Sequence, residues 1–155
     1  MDLLLWRHAH ALDACIGQSD LDRPLSAKGE KQAKKMSDWL LAHLPKDTHI
    51  LCSPALRTLQ TVSYLDTPYT VCEDISPESN AHSLLKVTGW SDGVEKAVLV
   101  VGHQPSLADA VVSILGLQSA VAISFRKGSL WWIRQRVRNT AHEPFILTIQ
   151  DPELL

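Results

Sequence analysis

Short unbroken apolar runs alternate along the chain with longer stretches in which apolar residues recur every three or four positions. The first run, residues 2–7 (DLLLWR), is apolar without alternation and ends abruptly in Arg7 and His8, with His10 two positions on. Such a run reads as a short strand buried on both faces that delivers polar groups at its tip. A loop rich in Asp and Gly follows, through DACIGQSDLDRP. Ser26 then stands as the N-cap of a helix reaching about Leu44, with Ala33, Met36, Leu40 and Leu44 on one face. Lys28, Lys31, Lys34 and Lys35 fall largely elsewhere on it and make a solvated face, and Pro45 ends it.

HILCS predicts a second strand and SPALRTLQTVSYL a second helix, with Ser53 as N-cap and Pro54 at the first helical position, where a missing N–H does no harm. YTVCED predicts a third short strand, and NAHSLLKVTGW a weakly amphipathic helix. KAVLVVGH is continuous Val and Leu, a strand buried on both faces, and PSLADAVVSILG a helix closed by Gly116. AVAISFRKGSLWWIRQRV and FILTIQ predict strands around a turn at Lys127-Gly128. Strand–helix alternation over residues 2–115 predicts an α/β fold. The expected architecture is a three-layer α/β/α sandwich with a mostly parallel central sheet and an antiparallel C-terminal edge. With no repeat, linker or low-complexity tract, residues 1–155 are expected to form one domain.

Composition narrows the class. The net charge of −2 gives no argument for a nucleic-acid partner, and 45% hydrophobic with 21% charged residues is ordinary for a globular chain. Cys15, Cys52 and Cys72 form no CxxC pair and suggest neither a zinc site nor a disulfide framework; Cys52 and Cys72 are expected to be small core residues. No stretch approaches the roughly 18 apolar residues of a membrane span, and the N-terminus is not that of a signal peptide. The cytoplasm is the expected location, no membrane partner is expected, and a monomer is the default.

In a doubly wound sheet, ligands sit outside the carboxyl ends of the strands. The first strand ends in Arg7-His8, the second leads through Ser53-Pro54 to Arg57, and the KAVLVVGH strand ends in Gly102-His103. Two arginines and two histidines therefore converge on one edge. Arginine offers a planar fork of donors matching phosphate oxygens, and helix N-termini add oriented N–H groups. A neutral histidine can attack phosphorus, and neighbouring cations hold it deprotonated. A phosphoryl group is the ligand this set suits.

LLLWRHAHA, RPLSAKGEKQA, LCSPALRTLQT and VLVVGHQPSL resemble the four motif regions of the histidine phosphatase superfamily, also called phosphoglycerate mutase-like. The short length and DLDRPLSAKG resemble its SixA-like branch of phosphohistidine phosphatases. The resemblance implies that His8 is the nucleophile and becomes phosphorylated. It implies that Arg7, Arg57 and His103 complete the phosphate pocket, with His103 stabilising charge on the transferring group. Arg23 matches the arginine before PL in the short branch and is expected near the pocket mouth, to bind substrate. No metal or organic cofactor is expected, since the pocket's cations supply the electrostatic stabilisation a metal would.

Ala9 stands where the family's most familiar signature has glycine, which is workable if its φ stays negative. Larger members take a general acid from a later insertion that a chain of this length lacks; Glu78 is the candidate, with Asp20 and Asp22 beside it. A weak acid favours P–N bonds over P–O esters, because phosphohistidine nitrogen is protonated more easily as it leaves. His8 neutral and His103 protonated predict a bell-shaped pH profile. A His8-x-His10 metal pair lacks further ligands, so His10 is expected to line the entrance or contact substrate. The expected partner is a phosphohistidine-bearing protein or a small phosphorylated substrate. The alternatives are a small-molecule phosphatase or mutase on the same fold, or a non-catalytic phosphoprotein-binding module. If LWWIRQRVR is a strand, Trp132, Arg134, Arg136 and Arg138 share one face, either as a charged edge that resists aggregation or as a docking surface for an acidic partner protein.

Overall fold

A computed structural model of the chain describes residues 1–92, 96–118, 122–139 and 141–155, without the side chain of Ser91. The strands β1 (Asp2–Arg7), β2 (His49–Cys52), β3 (Thr70–Val71), β4 (Ala97–Gly102), β5 (Leu130–Arg138) and β6 (Ala141–Gln150) form one sheet in the order β3-β2-β4-β1-β5-β6. β3, β2, β4 and β1 run parallel, and β5 and β6 are antiparallel additions on the β1 side. The mostly parallel sheet with an antiparallel C-terminal edge is as the sequence predicts.

The unbroken apolar run of β1 is explained by helices on both faces. Leu4 and Trp6 pack with Met36 and Leu40 of α1 (Ala27–His43) and Val62 of α2 (Leu56–Ser63). Leu3 and Leu5, pointing the other way, pack with Leu84 of α3 (Ala81–Thr88) and Leu107 and Val111 of α4 (Ser106–Ile114). Cys52 is buried in the first of these layers, where desolvation pushes its thiol up to about 12, whereas Cys72 is only half-buried. Among the described residues no helix is long and apolar enough to cross a membrane.

Register brings the active edge together. Arg7 pairs with Gly102 and Cys52 with Val101, so the three parallel strands end level. The ladder continues one step further through His8 N–H to the Gly102 carbonyl and Ser53 N–H to the Val101 carbonyl, both at 3.1 Å. Ser26 caps α1 by accepting from Gly29 N–H at 3.1 Å, and Lys28, Lys31, Lys34 and Lys35 are exposed, as expected.

Three expectations are corrected. Ser53 does not cap α2, which starts later, behind Ala55 and without a side-chain cap; the Ser53 hydroxyl is spent on a histidine. No strand forms over the described residues 122–126, and 119–121 lie outside the described residues. The turn at Lys127-Gly128 is therefore not a hairpin: Gly128 N–H donates to the His8 carbonyl at 3.0 Å and the Trp6 indole N–H to the Gly128 carbonyl at 3.1 Å. It docks on the tip of β1, and the true hairpin joins β5 to β6 at Asn139. Finally, β5 is not the charged edge of the sheet: it lies between β1 and β6, and its arginines are partly satisfied within the chain. Arg134 makes a forked ion pair with Asp2 at 2.6 and 2.8 Å, and Arg136 lies 4.5 Å over the Phe145 ring.

Candidate active site

The site sits on the carboxyl ends of β1, β2 and β4. His8 is 6% exposed, His103 3% and Arg57 4%. The His8 and His103 rings lie with centroids 5.2 Å apart. His8 Nδ1 lies 2.7 Å from the Ala9 carbonyl, and because a carbonyl only accepts, Nδ1 carries the proton. Nε2 of a neutral His8 is thereby left with its lone pair. Ala9 takes no positive φ; its N–H donates to Thr61 Oγ1 at 3.1 Å, so alanine serves where glycine is more familiar.

Arg57 reaches the same corner from the first turn of α2. Its Nη2 lies 3.4 Å from His103 Nδ1, which must accept, so His103 Nε2–H donates to Ser53 Oγ at 2.7 Å. The Arg57 fork also holds Asp20, Nη1 donating to its carbonyl at 2.6 Å and Nη2 to Oδ2 at 2.9 Å. Asp20 Oδ1 accepts from Arg23 Nη1 at 2.9 Å, so Arg23 is linked to Arg57 through this carboxylate.

Arg7 is fixed from the other side. Its Nη1 donates to Gln104 Oε1 at 3.1 Å and to the Phe125 carbonyl, while its buried Nε has no partner among the described residues. Gln104 in turn accepts from Phe125 N–H at 3.2 Å and donates to the Ile123 carbonyl at 3.1 Å. A buried guanidinium N–H without an acceptor fits an anion as its missing partner.

Electrostatics follow from burial and neighbours. Desolvation drives His8 down to about 2, reinforced by His103, Arg57 and Arg7 and opposed by the Ala9 carbonyl. Desolvation likewise drives His103 down to about 3, with Arg57 and Arg7 adding to it and Asp20 opposing. The expectation of a protonated His103 is therefore corrected for the resting protein, in which both imidazoles are neutral. The hydrogen bond from Arg23 holds the Asp20 carboxyl below its usual range, with Arg57 adding to it.

Arg7, His8, Arg57 and His103 are thus brought together, with Arg23 one carboxylate away. Glu78 is not joined to them by any hydrogen bond or ion pair among the described residues. It is exposed on the wall of a cavity of about 480 Å³ shared with Asp20, Pro54 and Glu73. Asp22 is exposed and belongs to a short 3-10 turn, Asp20–Asp22. His10 is bonded to the start of α1 and to none of Arg7, His8, Arg57 and His103 among the described residues. Its Nδ1 lies 2.8 Å from Ser26 Oγ and its N–H donates to Gln32 Oε1 at 3.0 Å, fastening the loop to α1. Sequence reasoning missed Ser53 as the partner of His103, and Gln104 and Phe125 as the holders of Arg7. The one available signal was Gln104, a polar residue directly after His103.

Residues 3–76 match the family model of the histidine phosphatase superfamily (branch 1). An uncharacterized protein of Mycobacterium tuberculosis is 35% identical over 111 residues, covering 68% of this chain and 70% of the relative. A protein of Haemophilus influenzae named phosphohistidine phosphatase SixA homolog is 28% identical over 136 residues, covering 79% and 82%. The solved structure of the protein histidine phosphatase SixA complexed with tungstate superposes with a TM-score of 0.80 over 99% of both chains. At 21% identity that last likeness concerns the fold.

Proposed function

The chain belongs to the histidine phosphatase superfamily, and from that premise we propose that it is a cytoplasmic phosphohistidine phosphatase of the SixA type, working through a phosphoryl group carried on His8. The observation that carries the reading is the tautomer of His8. With Nδ1–H held by the Ala9 carbonyl and the ring neutral, the Nε2 lone pair is available among cations.

In the first step Nε2 of His8 attacks phosphorus, the P–Nε2 bond forms, and the bond to the leaving group breaks with its electron pair going to that group. Water then attacks phosphorus, the P–Nε2 bond breaks, its pair returns to His8, and orthophosphate departs. Arg7 and Arg57 hold the phosphoryl oxygens, and His103, positioned by Ser53, faces the charge that develops. The phosphoryl group competes with Asp20 for the Arg57 fork, since both Nη groups donate to Asp20 in the resting protein. These cations supply the stabilisation a metal would otherwise give, so turnover needs no metal.

Preference for P–N over P–O bonds is supported by the carboxylates. Asp20 is held in its ionised form by Arg23 and Arg57, and Glu78 is not joined to the imidazoles. An alkoxide leaving group lacks the positioned proton donor that is typically worth about 10²- to 10⁴-fold, whereas a departing imidazole nitrogen takes its proton readily. The name of the Haemophilus influenzae relative agrees with this choice, and the tungstate of the SixA structure, a tetrahedral oxyanion, agrees with a phosphoryl pocket of either kind. The test is a substrate panel in EDTA, comparing a phosphohistidine protein with sugar, nucleotide and tyrosine phosphates. The phosphohistidine protein is expected to give the highest kcat/KM. Faster hydrolysis of a sugar phosphate would assign the chain to small-molecule chemistry instead.

A further inference from the structure

The turn over residues 126–129 is held against the tip of β1 by three bonds. Gly128 N–H and the Gly128 carbonyl are engaged by His8 and Trp6 as described, and Arg7 N–H donates to the Ser129 carbonyl at 3.0 Å. Gly128 has φ +80°, and a Cβ there would lie 3.0 Å from Pro152 and 3.2 Å from Gln32, so the path of the turn is tightly set. Lys127 stands in this turn, half-buried, one residue before the amide that bonds to the backbone of His8.

Its charge is unmatched. Among the described residues Lys127 makes no ion pair or hydrogen bond, whereas its neighbour Arg126 pairs with Asp151 at 2.9 Å. Burial lowers its pKa, Arg7, Arg23 and Arg57 add to that push, and among the described residues Asp13 opposes it. Asp20 is already taken by Arg23 and Arg57, and Asp151 by Arg126. Arg7 and Arg57 act on the two buried imidazoles, Arg7 with an orphaned N–H, and Lys127 stands in the turn bonded to the backbone of Arg7 and His8, so the set is completed by an anion.

We propose that Lys127 is a substrate-binding residue, its ammonium gripping the phosphoryl oxygens at the mouth of the pocket beside Arg7 and Arg57. This rests on the phosphatase reading of the same site. The flexible four-carbon stem lets the ammonium follow the group from substrate to product, so its contribution falls on binding and not on the chemical step.

The experiment is titration of the resting protein with inorganic phosphate, followed by steady-state kinetics. Lys127→Met is expected to weaken phosphate binding about tenfold and to raise KM by a similar factor at unchanged kcat, as the loss of one charge-assisted hydrogen bond requires. Lys127→Arg should restore most of it. Lys34→Met removes the same charge from an exposed site on α1 and should change nothing. Phosphate binding by Lys127→Met equal to wild type, or an equal loss in Lys34→Met, overturns the assignment. Because phosphate binding needs no turnover, this result stands or falls separately from the substrate panel.

Discussion

Burying two neutral imidazoles makes stability depend on pH in a calculable way. An unfolded histidine titrates near 6.5, whereas His8 and His103 titrate near 2 and 3 in the folded protein. Above about pH 6.5 both states carry neutral rings and the full stability is present. As pH falls below that, the unfolded chain gains protons that the folded chain refuses, so stability is lost until the folded values are reached. At about pH 5 each ring costs about 2 kcal/mol relative to about pH 7.5, or about 4 kcal/mol for the pair. Urea unfolding of wild type and of the His8→Asn, His103→Asn double variant at these two pH values isolates the pair, since every other titrating group is common to both. The wild type should lose about 4 kcal/mol more than the variant on acidification. Parallel losses would refute the claim that both rings are held neutral by burial.

Two further substitutions test the scaffold and the clamp. Gly29→Ala should destabilise by about 3 kcal/mol or more, because the new Cβ would lie 2.0 Å from the His10 carbonyl oxygen, although alanine normally gains about 1 kcal/mol inside a helix; a thermal melt gives the sign. Arg57→Lys keeps the charge but loses the planar fork, and kcat/KM should fall at least about 100-fold with the melting temperature little changed.

Much of this site was legible because it is built from strand ends. The unbroken run before Arg7 and the one before Gly102 mark strands buried on both faces, and such strands place their next residues at the ligand edge. What was not legible depends on neighbours in space. A Ser-Pro pair before a helix looks like a cap, and only the adjacency of β2 and β4 gives the Ser53 hydroxyl to His103 instead. The partner of His10 is equally hidden in the sequence: its ring meets Ser26, the cap of α1, sixteen residues on. The glycine of RPLSAKG has its reason in the same contact, since α1 crosses the His10 carbonyl with no room for a side chain. Residues 122–129 carry a turn signal but no hint of its partner. The Trp6–Gly128 bond spans 122 residues, and it draws into the site wall a C-terminal segment that the motifs leave blank.

The central claim is that phosphorus passes through His8. Incubating the protein with a ³²P-labelled phosphohistidine protein and quenching in alkali tests it most directly. Wild type should carry label on His8, and His8→Ala should carry none and turn nothing over. A His8→Ala protein with full activity, or label that persists in it, would contradict the account.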